Sequence, residues 1–159
     1  MGKGLGYEPV IDNYLLVGDS EDNLKNGNYP NIPIMLGTTA NDICTPENET
    51  ISMEQSQLHN GCVNWCKHQL ELDYTPSYVY YFKHRLHGDN SGAFHSSELW
   101  YMFGTLDRCW RPFTNEDRLL SDIMLDYWCN FIKTGNPNGD GLKEWNTWTE
   151  DNQSIMIFE

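Results

Sequence analysis

Two side chains in this sequence have the types and the setting for acid–base chemistry. His95 lies in GAFHSSELWYMFGTL, residues 92–106, and Asp42 lies in GTTANDI, residues 37–43. Each follows an apolar run of strand character. A carboxylate bonded to one imidazole nitrogen fixes the ring tautomer and favours the imidazolium, which is what a general base for a nucleophilic hydroxyl requires. The other reading of the same residue types is a loop histidine and a turn-forming aspartate. A further candidate is HNGCVNWCKH, where His59, Cys62 and Cys66 would share one helical face and could be imagined around zinc. That spacing matches no familiar zinc pattern, and Trp65 within it suggests ordinary packing. The five cysteines are odd in number and irregularly spaced, so they do not read as a disulfide framework.

The elements that must position these groups can be traced along the chain. The first thirty residues are rich in Gly, Asn and Asp and read as extended chain and turns. IPIMLGT, residues 32–38, is a continuous apolar run that suits a strand buried on both faces. The stretch from Thr45 to Asp73 has helical composition, with Thr45-Pro46-Glu47 as an N-cap followed by proline in the first turn, and with Gly61 as a point of interruption. SYVYYFKHRL, residues 77–86, is dense in aromatic and β-branched residues and reads as a second strand.

HGDNSG then forms a loop that delivers the chain to His95, and SSELWYMFGTL reads as a short helix capped by Ser96 or Ser97. The clearest helix begins at Thr114, where Asp117 three residues on completes a capping-box pattern. Leu120, Ile123, Met124, Tyr127, Trp128 and Phe131 give it one wide apolar face, and GNPNGDG ends it. QSIMIFE closes the chain as a strand. Strands separated by helical crossovers imply parallel pairing in an α/β fold, and three strands make a thin sheet that looks like part of a larger one. His95 and Asp42 then fall at the carboxyl end of the sheet, where binding and catalytic groups of open α/β sheets collect.

Composition narrows the function classes. Ten basic residues stand against 23 acidic ones, a net charge of −13. Nucleic-acid binding needs clustered Lys and Arg, and adhesion to anionic membranes needs positive charge, so neither partner is expected. No apolar stretch approaches the roughly 20 residues of a membrane span. MGKGLGYEPV carries no signal-peptide core, and Gly6 stands where a myristoylation signal wants Ser or Thr, so a cytoplasmic location is expected.

The segments YEPVIDNYLL, IPIMLGTTANDI, YVYYFKHRL, GAFHSSELWYMFGTL, RPFT and YWCNFIKTGNPNGDGLKEWNTW come in an order that resembles the type B carboxylesterases, which include the cholinesterases and have the α/β-hydrolase fold. The resemblance covers nearly the whole chain and is to the C-terminal portion of the family. It implies that His95 is the histidine of a Ser–acid–His triad and that Asp42 stands at the place of the acid. The family usually has Glu there after an Asp, whereas this chain has Asp42 after Asn41. Glu98, three residues past the histidine, matches a glutamate that supports the site from behind. The short separation of Asp42 and His95 implies a trimmed lid.

The family's nucleophile sits in G-x-S-x-G at a strand-to-helix turn, and no serine of this chain has glycines at both −2 and +2. The resemblance therefore implies an ester-hydrolysing enzyme whose serine and oxyanion loop belong to a preceding half, acting on a small-molecule ester without metal or organic cofactor. This chain by itself is expected to be inactive. The alternative is a non-catalytic module that pairs with itself or with another chain.

Overall fold

The computed structural model describes residues 10–43 and 51–159, and the chain divides into two compact units with the boundary between Ile32 and Pro33. In the first unit the Asp12 carboxylate accepts from the backbone N–H groups of Tyr14, Leu15 and Leu16 at 2.8–3.0 Å. Helix α1, Ser20–Lys25, follows, with Asp19 as its cap. This helix departs from the expectation of turns alone. Its cause is local: Asp19 satisfies the free Glu21 N–H, and Glu21 and Asp22 complement the positive end of the helix.

The second unit holds a three-stranded parallel sheet in the order β1 (Met35–Thr39), β2 (Tyr78–Phe82), β3 (Met156–Phe158). Strand alternation sorts β2 between two faces. Tyr80 and Phe82 join one core with Met156 and Phe158, whereas Val79 joins the other with Cys62, Cys66 and Trp148. Gly37 lies opposite Tyr80, and a Cβ at Gly37 would run into both the ring and the carbonyl of that tyrosine. A side chain on β1 at this level would force the strands apart, so glycine is a packing requirement here.

Helix α2, Gln57–Glu71, covers the Val79 face. Its first turn is capped by Ser56, which accepts from His59 N–H at 3.3 Å, after a 3₁₀ turn at Met53–Gln55. Thr45-Pro46-Glu47 falls outside the described residues. Gly61 does not divide the helix: it faces open space, while His59, Cys62, Cys66 and Gln69 bury the opposite side and hold the backbone continuous.

Helix α3, Leu99–Met102, follows the His95 loop. Neither Ser96 nor Ser97 caps it. Glu98 occupies the cap position without a capping bond, Ser96 turns into the left-handed region at φ +68°, and Ser97 is buried. Helix α4, Asn115–Thr134, is about 30 Å long at 1.5 Å per residue. Thr114 and Asp117 form the expected reciprocal box, and Gly135 ends the helix at φ +75°. Met124, Tyr127 and Trp128 of α4 pack on Tyr80 and Phe158, with Trp145 edge-on to both Tyr127 and Phe158. No helix among the described residues is long and apolar enough to cross a membrane.

Candidate functional site: a carboxylate–imidazole pair at the sheet's carboxyl end

The parallel order puts the ends of β1 and β2 side by side. The ladder continues one step past β1, where Ala40 N–H donates to Phe82 C=O at 2.8 Å. Beyond it the two loops touch again through a parallel bridge between Asn41 and Phe94. Asp42 and His95 are the next residues on the two loops, and His95 Nδ1 lies 2.6 Å from Asp42 Oδ1.

Four donors converge on the Asp42 carboxylate. Oδ1 takes the His95 ring and Ile43 N–H at 2.8 Å, while Oδ2 takes Thr39 N–H at 3.2 Å and the Thr39 hydroxyl at 3.0 Å. Burial acts to raise the Asp42 pKa. The Ile43 N–H, His95 and Thr39 bonds outweigh it and leave the carboxyl below its usual range. An ionised carboxylate only accepts, so Nδ1 of a neutral His95 carries the proton and Nε2 presents its lone pair. The His95 side chain is 57% exposed against 8% for Asp42. The carboxylate is therefore covered, whereas more than half of the imidazole side chain is exposed.

The loop that carries His95 is braced from outside. The Arg111 guanidinium lies over the Phe94 ring at 5.1 Å, forks onto Asp89 at 2.9 and 2.7 Å, and donates to His87 C=O. A planar fork of this kind fixes both ends of the 87–94 segment together. Sequence reasoning missed this clamp, because an arginine sixteen positions after the histidine gives no local signal.

Glu98 lies near the pair without bonding to either member. Its Oε1 accepts from the Tyr80 hydroxyl at 3.4 Å, and its Oε2 is buried without a partner. Burial raises its pKa, and the Asp42 charge adds to the rise. His59, Cys62 and Cys66 do share one helical face, but that face packs on the sheet. His59 is edge-on to Tyr81, and burial pushes the Cys62 and Cys66 thiols up to about 11 and about 12, so both stay protonated. Among the described residues no group of three His, Cys, Asp or Glu side chains is placed to hold a metal ion.

A second carboxylate–imidazole contact joins Asp117 and His84. Asp117 is fully buried, and its Oδ1 accepts from the Tyr101 hydroxyl at 2.6 Å and meets His84 Nε2 at 2.8 Å. Its Oδ2 takes Thr114 N–H and the Thr114 hydroxyl. Asp117 reads from sequence only as a capping residue. Its register on the apolar face of α4, four positions before Ser121, is the signal that it points inward. It ties the exit of β2, α3 and the start of α4 to one charge, and its burial separates it from the accessible His95.

The sequence model of the Carboxylesterase family matches residues 45–159. Carboxylesterase 4A of Bos taurus is 34% identical over 92 residues, covering 52% of this chain and 16% of its own length. Pyrethroid hydrolase Ces2e of Rattus norvegicus is 36% identical over 96 residues, covering 55% of this chain and 17% of its own. Para-nitrobenzyl esterase of Bacillus subtilis (strain 168) is 25% identical over an alignment of 195 residues that takes in 98% of this chain and 40% of the esterase. A solved structure of a PNB esterase superposes on 96% of this chain and 40% of its own with a TM-score of 0.72 at 22% identity. The architecture is thus part of an α/β-hydrolase fold, and the chain spans less than half the length of each of these relatives.

Proposed function

Because this chain belongs to the carboxylesterase family and corresponds to a C-terminal portion of it, we propose that Asp42 and His95 are the acid and the base of a Ser–acid–His triad that hydrolyses carboxylic esters. The observation that carries this reading is the 2.6 Å contact of His95 Nδ1 with a carboxylate held by Thr39 and Ile43, on an imidazole side chain that is more than half exposed.

The sequence has no G-x-S-x-G, so the serine comes from a further segment of polypeptide. As its Oγ attacks the ester carbonyl, its proton passes to His95 Nε2, and the imidazolium is held by Asp42. His95 then gives that proton to the departing alkoxide, leaving an acyl-serine. Water donates a proton to His95 as it attacks the acyl carbonyl, and the return of that proton to Oγ releases the acid. Asp42 is one methylene shorter than the usual glutamate, and the Thr39 and Ile43 bonds support it in the same role. Glu98 supports the pair as a nearby carboxyl that burial keeps closer to its neutral form.

Two measurements test this. The ¹⁵N shifts of the His95 ring should show the Nδ1–H form as the main neutral tautomer, reverting to Nε2–H in Asp42→Asn. The 159-residue chain alone should give no His95-dependent turnover of a short-chain aryl ester, whereas a chimera carrying it behind the preceding part of the Bacillus subtilis esterase should hydrolyse that ester and lose activity in His95→Ala. A His95 tautomer indifferent to Asp42, or chimera activity indifferent to His95, overturns the proposal. The alternative role as a pairing module draws on the position of β1 at the edge of the described sheet. Concentration-dependent self-association together with an inactive chimera would favour it.

A further inference from the structure

The 2.6 Å contact between His95 and Asp42 requires two loops from different strands to arrive in register, and one side chain bridges them. Asn41 N–H donates to Ala93 C=O at 2.9 Å, and Ala93 N–H donates back to Asn41 Oδ1 at 3.0 Å. Asn41 therefore satisfies both backbone groups of Ala93, which is wholly buried and cannot turn to water instead. Asn41 also forms the parallel bridge with Phe94. It stands one residue before Asp42, and Ala93 stands two before His95, so this contact sets the height at which the ring meets the carboxylate.

Gly92 completes the arrangement. Its φ is +66°, and a Cβ there would overlap the Asn41 carboxamide oxygen. A side chain at this position would have to displace the Asn41 amide, and it would strain the left-handed backbone that glycine adopts freely. From these contacts we infer that Asn41, seated against Gly92, is a positioning residue for the acid–base pair: a two-point latch that holds the His95 loop in register with Asp42. This rests on the role proposed above for that pair. The latch matters because a hydroxyl-to-imidazole proton transfer tolerates little misplacement. An error of about 1 Å in such a constellation costs on the order of a hundredfold in rate, and an exposed imidazole has little side-chain packing of its own to correct it.

The test reads the neutral tautomer of His95 by ¹⁵N shifts in the full chain, beside thermal unfolding of each variant. Asn41→Ala removes the acceptor oxygen, and the Nδ1–H to Nε2–H ratio should invert, as is expected of Asp42→Asn. Asn41→Asp keeps an acceptor facing Ala93 N–H and should restore the Nδ1–H form. Gly92→Ala leaves Asn41 in place but displaces its amide, and should invert the ratio as well. The double variant Asn41→Ala/Gly92→Ala should invert it no further than either alone.

If Asn41→Ala unfolds, Gly92→Ala and Asn41→Asp decide the matter. A folded Gly92→Ala or Asn41→Ala that keeps the Nδ1–H form while Asp42→Asn loses it overturns the latch and leaves the pair intact. Failure of Asn41→Asp to restore that form also overturns the latch. An unsubstituted chain already in the Nε2–H form, unmoved by Asp42→Asn, overturns the pair itself and the latch with it.

Discussion

His95 and Asp42 stand 53 positions apart in the chain, yet their side chains meet at 2.6 Å across the ends of two adjacent parallel strands. The contact is asymmetric. The carboxylate is covered and fourfold-bonded, and the imidazole side chain is more than half exposed. Such an arrangement fixes the orientation of the ring, as the proposed role of His95 as a base requires.

The acid limb of stability should carry the mark of Asp42. Its folded pKa lies below the unfolded value of about 3.9. The stabilisation it contributes is therefore complete above that value and is lost as pH falls through the depressed folded value. Urea midpoints measured between pH 5 and pH 2 should fall less steeply in Asp42→Asn than in the unsubstituted chain. Parallel slopes would show that the four bonds do not favour the carboxylate.

Glu98 should behave oppositely. Its folded pKa is raised, chiefly by burial, so the folded state binds the proton more tightly than the unfolded one. It costs stability as pH rises from the unfolded value of about 4.3 through the raised folded one, and that cost persists at neutral pH. Glu98→Gln should raise Tm at pH 7, and the gain should disappear near pH 4. A loss of Tm at pH 7 would mean that the carboxylate form is held by bonds beyond the Tyr80 hydroxyl.

Asp117 should be the more costly carboxylate to remove. It is fully buried and gathers Tyr101, His84 and Thr114 onto one charge. Asp117→Ala strands these donors and removes the reciprocal cap of α4, and should destabilise the chain by about 3–5 kcal/mol. Chemical denaturation followed by circular dichroism measures it. A change below about 1 kcal/mol would place the cluster outside the cooperative core.

Gly61 offers a gain. It lies within α2, and a Cβ there meets nothing within 4 Å. Gly61→Ala should stabilise the chain by about 0.5–1 kcal/mol through lower backbone entropy in the unfolded state. A loss of stability on denaturant unfolding would reveal a contact on the open side of the helix.

What could be read in advance was whatever is governed by neighbours along the chain. The ends of α4 follow from Thr114, Asp117 and Gly135, because capping satisfies orphan backbone groups with side chains a few residues away. The aromatic and β-branched run at Tyr78–Phe82 makes β2, and helical crossovers between strands make the sheet parallel. The same local punctuation singled out His95 and Asp42 as loop residues beyond strands. Local rules failed where packing outweighed them: Gly61 sits in an unbroken helix, and Ser96 and Ser97 cap nothing.

Tertiary structure alone decided which groups meet. Asp117 finds His84, 33 positions away, Arg111 finds Asp89, and Asn41 finds Ala93, 52 positions away. Trp145 and Trp148 are almost wholly buried, although their segment is neither helix nor strand. Periodicity and capping act over a few residues and set the backbone. The partner of a buried charge or ring is chosen by desolvation and close packing among segments that only folding brings together.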